Sequence, residues 1–290
     1  MYEITGSTTL TALLGSPVKH SISPMMHNES FRLLNLDYSY LAFDVSPSDL
    51  KSVVDAFKIM NVRGYNLTMP HKNMIIDYLD EISDASKMSM SVNTVLYDGD
   101  KLYGTTTDGI GFWQAMHYSG FDLNNSVVTI LGFGGAAKAI IAQGALDGAK
   151  SIRVFKRKNS TFDEASKMIA NIANNSCANV SIHDLNDLNE LKSSIKSSDI
   201  LINATSVGMS PNDNECLIPD KNFFHKDLFV SDIIYSPSKT RLIQMAQEAG
   251  CRYANGLYML LYQGAASFKI WTGQDMPVDI IKEKYFDKGD

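Results

Sequence analysis

The chain has 290 residues, 44% of them hydrophobic and 20% charged, with a formal net charge of −6 at pH 7. This composition is typical of a globular protein with room for two domains, and the acidic balance argues against a nucleic-acid-binding surface. The three cysteines lie far apart and the six histidines include no H-x-x-x-H pair, so the sequence predicts neither a disulfide framework nor a metal site. No segment resembles a signal peptide or a membrane span, and we expect a cytoplasmic protein, monomeric or homodimeric, without nucleic-acid or membrane partners.

Strands and helices alternate in the first third of the sequence. Residues 1–10 are interpreted as a loose lead-in to a short buried strand at 12–15, and residues 38–45 alternate as a second strand. Apolar residues at helical spacing predict a helix over 50–60, and residues 62–68 predict a third strand. This alternation predicts an α/β domain.

Two loops in this region carry candidate ligand groups. Ser23 is a favourable N-cap and Pro24 a favourable first helical residue. Capping alone is one explanation for Ser23, and the other is that a helix start with the hydroxyls of Ser21 and Ser23 binds a carboxylate. Pro70 is expected to start the next helix and to place Lys72 in its first turn, where a cation opposes the helix dipole. Such local conflicts concentrate at functional sites.

A hairpin and a further helix follow. Asp98-Gly99, between apolar runs at 92–97 and 101–103, is a strong hairpin signal. Beyond it, Thr107-Asp108-Gly109 leads into a helix. Asp108 is therefore either the cap of that helix or a functional carboxylate.

The second half is organised around a glycine-rich turn. The β-branched run at 127–131 meets glycines and then a helix-forming segment, with Gly132, Gly134 and Ala137 at the positions of G-x-G-x-x-G/A. In a dinucleotide site, the helix that follows offers unpaired N–H groups to the phosphates. The alternative is a plain glycine-rich turn in a parallel-sheet protein.

The next strand, 151–155, ends in a basic run, Lys156-Arg157-Lys158-Asn159. An NAD site usually has Asp or Glu at this place to bind the ribose 2′-hydroxyl. A guanidinium instead suits the 2′-phosphate of NADP, because its planar fork binds phosphate through two hydrogen bonds. The run therefore favours NADP, and the alternative is a solvated basic turn.

The remaining pattern continues the alternation. Residues 199–203, 228–232 and 251–254 predict strands, and 239–249 and 257–271 predict helices. The last helix is long and apolar, and we expect it to return the chain to the first domain.

Several motifs occur together in the order found in shikimate dehydrogenases, and the chain resembles that family over nearly its whole length. The motifs are Gly-Ser-Pro-Val-Lys-His-Ser-Ile-Ser-Pro at 15–24, Asn-Leu-Thr-Met-Pro-His-Lys at 66–72, Val-Asn-Thr at 92–94, Thr-Asp-Gly at 107–109, Gly-Phe-Gly-Gly-Ala at 132–136, Asn-Ala-Thr at 203–205 and Gly-Leu-Tyr-Met-Leu at 256–260. Residues 162–165, 263–265 and 271–273 are most similar to the quinate/shikimate dehydrogenase branch.

The resemblance implies an α/β fold with two domains. A substrate-binding catalytic domain would comprise residues 1–108 and 257–290, and a Rossmann-type parallel-sheet NAD(P)-binding domain residues 109–256. It implies reversible, NADP-dependent reduction of 3-dehydroshikimate to shikimate by hydride transfer, in the chorismate pathway to aromatic amino acids. One alternative is an enzyme of the same scaffold that also uses quinate and NAD. Another is a non-catalytic nucleotide-binding sensor.

The resemblance also implies roles for individual residues. The catalytic pair would be Lys72 and Asp108, and Ser21 and Ser23 would bind the substrate carboxylate. Other substrate-binding residues would be Asn66, Thr68, Asn93, Tyr235 and Gln263. Cofactor-binding residues would be Gly132, Phe133, Gly134, Gly135 and Ala136 in the glycine turn, Lys156, Arg157 and Lys158 in the basic run, and Thr205, Ile233, Gly256 and Met259 on the nicotinamide side.

Four positions depart from the family pattern. Phe133 stands where a small residue is usual, so its ring must point away from the pyrophosphate or reshape the turn. Tyr258 also replaces a small residue, and Thr106 replaces a frequent Asn. Asn159 stands where the quinate/shikimate branch often has Asp, which weakens the case for NAD.

Overall fold

The computed structural model describes residues 3–287 of the chain. These residues divide into two compact units, one that runs to Gly111 and resumes at Leu261, and one that is Phe112–Leu260. Each unit is built on a six-stranded sheet with helices, which confirms the predicted α/β class. Residues 1, 2 and 288–290, which the predicted domain ranges include, lie outside the described part of the chain.

The elements alternate along most of the chain. The strands are β1 Thr9–Gly15, β2 Tyr38–Asp44, β3 Gly64–Leu67, β4 Glu81–Ile82, β5 Thr94–Tyr97, β6 Leu102–Thr105, β7 Val127–Leu131, β8 Ser151–Lys156, β9 Asn179–Asp184, β10 Ile200–Asn203, β11 Phe229–Asp232 and β12 Arg252–Ala254. The α-helices are α1 Ser23–Leu33, α2 Leu50–Ile59, α3 His71–Met74, α4 Asp84–Ser89, α5 Asp108–Tyr118, α6 Gly135–Leu146, α7 Phe162–Asn174, α8 Leu188–Lys196, α9 Arg241–Glu248, α10 Leu257–Thr272 and α11 Val278–Tyr285. Short 3₁₀ helices occur at Pro47–Asp49, Ile75–Tyr78 and Lys221–Phe223.

The first unit has a mixed sheet in the order β2-β1-β3-β5-β6-β4. Strand β1 pairs in parallel with β2 and β3, whereas β5 is antiparallel to both β3 and β6. The predicted hairpin joins β5 to β6, and Gly99 in its turn has a φ of +103°, which glycine adopts without strain. The prediction of a loose lead-in through residue 10 is wrong at its end, because parallel pairing of Thr9 with Tyr38 starts β1 earlier.

The core of the first unit fixes the strand ends from which its loops start. Helix α2 turns Leu50, Val54 and Phe57 inward, at the spacing of one helical face. They pack with Leu14 of β1 and Tyr65 of β3 in one apolar cluster. Leu14 pairs with Leu67, so the carboxyl ends of β1 and β3 lie side by side.

The second unit has an all-parallel sheet in the order β9-β8-β7-β10-β11-β12. Numbered within the unit, this is the 3-2-1-4-5-6 order of the doubly wound nucleotide-binding fold, and the order reverses between β7 and β10. Leu131 and Asn203 are paired at the carboxyl ends of these two strands. Ligands of open α/β sheets bind at such a switch point, which is where the glycine-rich turn begins.

Candidate active site

Lys72 and Asp108 form a hydrogen-bonded ion pair in the first unit. Lys72 lies in α3, shortly after the end of β3, and Asp108 is the first residue of α5. The ammonium Nζ is 2.6 Å from Oδ2 of Asp108, and the two side chains are 27% and 9% exposed. Helix α3 is a single turn, so the dipole that Lys72 opposes is weaker than the sequence suggested.

Asn93 fixes the carboxylate of Asp108 from the other side. Its Nδ2 donates to Oδ1 of Asp108 at 2.8 Å and to Oε1 of Gln263 at 3.3 Å. Its Oδ1 accepts from the backbone N–H of Thr107 at 2.7 Å. The amide therefore joins the start of β5, the start of α5 and the helix α10 around one carboxylate.

Asn66 lies next to Asn93 and binds it through its side-chain amide. Its Nδ2 lies 3.0 Å from each of three acceptors, the carbonyl of Asn93, Oγ1 of Thr94 and Oγ of Ser267. Its Oδ1 accepts from the phenol of Tyr40 at 2.8 Å. Asn66 is buried, and both polar atoms of its side chain are engaged within the protein.

The serine loop differs from the prediction in one respect. Ile22, in the N-cap position, has helical dihedral angles, φ −80° and ψ −13°, and makes no side-chain cap. Ser23 is therefore the first residue of α1 and not its N-cap. The explanation of Ser23 as a cap is wrong. Its backbone N–H donates instead to Oγ of Ser21 at 3.2 Å. Ser23 is buried.

Thr68 follows β3 beside the end of β1. A Cβ on Gly15 would overlap Cγ2 of Thr68, so the glycine that precedes the serine loop allows this close approach. The N–H of Thr68 donates to the carbonyl of Leu14 at 2.9 Å, and its carbonyl accepts from the N–H of His71 at 2.9 Å. The loops that carry Ser21 and Lys72 thus start from one backbone junction.

The glycine turn of the second unit is open to a ligand. Gly132 has a φ of +100°, and a Cβ there would lie 2.6 Å from Cγ2 of Thr205, so glycine is required. A Cβ on Gly134 or Gly135 would meet nothing within 4 Å. Helix α6 begins at Gly135, so the N–H groups of its first turn, which have no partner within the helix, lie at these open glycines. The residues present fit the pyrophosphate of a dinucleotide.

Phe133 and Ala136 flank the open glycines. Both are partly buried. The ammonium of Lys138, which lies near the start of α6, is 5.4 Å from the centroid of the Phe133 ring. The large residue at this position therefore contacts the following helix.

The basic run divides into two parts. Nζ of Lys156 donates to Oδ1 of Asn159 at 2.6 Å, and this oxygen also accepts from the N–H of Thr161 at 3.2 Å. The ammonium of Lys156 is therefore engaged in the turn. Arg157 and Lys158 are exposed, which leaves them accessible to a phosphate.

The residues predicted on the nicotinamide side lie at the carboxyl edge of the second sheet or just beyond it. Thr205 and Ile233 follow β10 and β11, and Gly256 follows β12. The N–H of Gly256 donates to the carbonyl of Ile234 at 3.1 Å, and a Cβ on Gly256 would overlap the carbonyl of Ile233. Met259 lies in the first turn of α10 and is partly buried.

Tyr235 belongs to the second unit, whereas the other predicted substrate-binding residues belong to the first. It follows β11 and its side chain is 52% exposed.

Two family models match the chain. The shikimate dehydrogenase substrate binding domain matches residues 13–95, and the shikimate 5′-dehydrogenase C-terminal domain matches residues 256–284. A shikimate dehydrogenase (NADP(+)) from Listeria monocytogenes serotype 4b (strain F2365) is 46% identical over 284 residues, which cover 98% of both chains. The chain belongs to the shikimate dehydrogenase family.

Solved structures of the family agree with the fold described above. Shikimate 5-dehydrogenase from Listeria monocytogenes, in complex with shikimate and NAD, superposes with a TM-score of 0.94 at 46% identity, over 98% of each chain. Quinate dehydrogenase from Corynebacterium glutamicum, in complex with NAD, superposes with a TM-score of 0.84 at 27% identity, over 96% of this chain and 98% of the other. The same fold thus serves two substrates, so the fold alone does not identify the substrate.

The sequence analysis did not predict three residues of the polar network around Asn66. Tyr40, Thr94 and Ser267 join Asn66 below Asn93, and Oγ of Ser267 lies 2.8 Å from Oγ1 of Thr94. The available signal was a serine within the long apolar helix α10. Its partners lie on distant strands, so the sequence does not identify them.

Within 3–287, no three or more His, Cys, Asp or Glu side chains are grouped so that they would hold a metal ion. None of the helices in that range combines the length and apolar character of a membrane span.

Proposed function

We propose that the protein is a shikimate dehydrogenase that reversibly reduces 3-dehydroshikimate to shikimate with NADPH. The carrying observation is the hydrogen-bonded set of Lys72, Asp108 and Asn93. The family membership and the open glycine turn support the same conclusion. We assign substrate binding and catalysis to residues 1–108 and 257–290, and cofactor binding to residues 109–256.

The proposed chemistry at the first unit is proton transfer at Nζ of Lys72. Reduction of a ketone places negative charge on its oxygen, and an ammonium within hydrogen-bond distance stabilises that charge and donates the proton. The bound cofactor supplies the hydride. Asn93 holds Oδ1 of Asp108, so that Oδ2 orients the ammonium. In the reverse direction Lys72 accepts the proton, and the two residues act as one unit.

Substrate anchoring is proposed for the two serine hydroxyls. Ser21 and Ser23 are neighbours at the start of α1, where hydroxyl and backbone donors suit the carboxylate of shikimate. Asn66, Thr68, Asn93, Gln263 and Tyr235 are proposed around the ring hydroxyls. Of these, Asn66 contributes mainly by holding the network, since its polar atoms are already paired.

NADP is the proposed cofactor because exposed Arg157 and Lys158 follow β8 and no carboxylate lies within the basic run. A second candidate function is oxidation of quinate with NAD or NADP, which the match to a quinate dehydrogenase supports. A non-catalytic sensor is disfavoured, because a nucleotide-binding sensor does not need the assembled lysine–aspartate pair. The three free cysteines are consistent with a reducing compartment, the cytoplasm.

The test is a steady-state matrix of shikimate and quinate, each with NADP and NAD. We expect the highest kcat/KM for shikimate with NADP, and a value at least about tenfold above that for shikimate with NAD, which is the effect of one good phosphate contact. A higher kcat/KM for quinate would favour the second candidate. Cofactor binding without turnover of either substrate would favour the sensor.

A further inference from the structure

Asp232 is a fully buried carboxylate that is surrounded by hydrogen-bond donors. It ends β11, and its exposed fraction is 0%. Oδ1 accepts from Nδ2 of Asn203 at 3.0 Å and from the N–H of Ile234 at 3.1 Å, and Oδ2 accepts from Oγ1 of Thr240 at 2.7 Å. Thr240 itself accepts from the N–H of Ile243, so its own hydrogen is available to Asp232. This donor set fits the ionised carboxylate.

None of the ion pairs formed within residues 3–287 includes Asp232. Burial raises the pKa of Asp232, and the hydrogen bonds from Thr240, Ile234 and Asn203 act in the opposite direction. A buried charge held only by neutral donors is costly, and charges of this kind concentrate at functional sites.

The position of the carboxylate connects it to the loops that we assign to the nicotinamide side. Asn203, which donates to Asp232, also accepts from Oγ1 of Thr205 at 2.7 Å. Ile233 directly follows Asp232, and the carbonyl of Ile234 accepts from the N–H of Gly256. One buried charge thus organises the loops after β10 and β11, and Ile234, which donates to it, contacts the turn after β12.

We propose that Asp232 is a positioning residue whose charge favours the oxidised cofactor over the reduced one. The nicotinamide ring carries a positive charge in NADP⁺ and none in NADPH, so a nearby buried anion stabilises only the oxidised form. The loops that Asp232 fixes are the ones that would hold the ring, at the same edge of the sheet as this charge. This inference rests on the proposed function, because it requires that the protein bind a nicotinamide cofactor.

The test is the ratio of the Kd values for NADP⁺ and NADPH, measured by calorimetric titration of the full-length protein without substrate. In Asp232→Asn we expect the Kd for NADP⁺ to rise about fivefold to tenfold more than the Kd for NADPH, the scale of a single charge interaction in a partly screened site. Thr240→Val is the structural control, because it removes a hydrogen bond to Asp232 and the side-chain cap of α9 but leaves the carboxylate in place. Both Kd values should rise together in that variant.

A second control removes a carboxylate at the opposite end of the sheet. Asp199 precedes β10 and is exposed, and Asp199→Asn should leave the ratio unchanged. If Asp232→Asn does not fold, Asp232→Ser leaves room for water and is assessed by the same ratio. An equal rise of both Kd values in the Asp232 variant would reduce its role to structure and overturn the inference.

The failure of the proposed function has a different signature. In that case the wild type binds NADP⁺ and NADPH but turns over neither shikimate nor quinate, and the ratio is still measurable. A wild type that binds neither form of the cofactor would overturn both proposals.

Discussion

The ammonium of Lys72 lies 2.6 Å from Oδ2 of Asp108, while Oδ1 of the same carboxylate accepts from Asn93 at 2.8 Å. The two oxygens therefore have separate tasks, since one is fixed by an amide and the other orients the ammonium. An ammonium held by one hydrogen bond keeps N–H donors for a substrate oxygen. This division of the carboxylate is the structural basis of the first prediction.

Lys72→Ala should lower turnover by about a hundredfold or more, the scale of one lost oxyanion donor. Shikimate affinity should change much less, because the ground-state hydroxyl is neutral and has other partners. Asp108→Asn should also lower turnover, and the double variant should be little worse than the poorer single one. Measurement of kcat and shikimate Kd for all four proteins checks this, and fully multiplicative losses would reject the pair.

Much of the architecture was predictable from local pattern. The strand–turn–helix at the glycine turn was visible because a β-branched run, glycines and a helix-forming segment are adjacent in the chain. The hairpin at Asp98-Gly99 was visible for the same reason. Both depend on interactions within about ten residues, which propensity and turn chemistry describe.

The pairing of side chains across the first unit was not predictable from pattern. Lys72 and Asp108 are 36 positions apart. The residue pattern does not indicate that their side chains form an ion pair, and only the family resemblance implies it. Capping was one of two explanations for Ser23, and it is excluded because Ile22 adopts helical angles, which no propensity indicates. Engagement of Lys156 by Asn159 depends on the exact path of one turn.

The serine loop provides the second prediction. Ser21→Ala removes the acceptor for the N–H of Ser23 and should destabilise the protein by about 0.5–1.5 kcal/mol, the net contribution of one hydrogen bond. It should also raise the KM for shikimate. Ser23→Ala should raise the KM without a capping loss, because Ser23 does not cap α1. Shikimate kinetics and denaturant unfolding of each variant check this, and an unchanged KM in the folded double variant would place the carboxylate elsewhere.

Cofactor choice provides the third prediction. Arg157→Ala should raise the KM for NADP about tenfold to a hundredfold, because a lost charge-assisted hydrogen bond costs about 1.5–3 kcal/mol. The KM for NAD, which lacks the 2′-phosphate, should change little. Lys156→Met is the matched control, because Lys156 stabilises the turn through Asn159 and its loss should affect both cofactors alike. Equal effects of Arg157→Ala on NADP and NAD would mean that the arginine does not bind the 2′-phosphate.

The last prediction concerns a buried histidine behind the serine loop. The ring of His27 stacks on that of Tyr40 with centroids 4.4 Å apart and planes at 11°. Among the described residues, neither ring nitrogen of His27 has a hydrogen-bond partner. Burial lowers the pKa of His27 from 6.5 to about 3. Its imidazole therefore stays neutral in the folded protein at pH values where an unfolded chain binds a proton.

The sign of the effect follows from proton binding. Above pH 6.5 both states are neutral and His27 adds no pH dependence, whereas between about pH 6.5 and 3 only the unfolded state is protonated. The free energy of unfolding should therefore fall as the pH falls, by about 1.4 kcal/mol per pH unit from this one group. His27→Phe, which cannot titrate, should lose that slope whatever its stability at pH 7. Urea unfolding of both proteins at pH 7, 6 and 5 measures it, and parallel curves for wild type and variant would mean that His27 takes up a proton while folded.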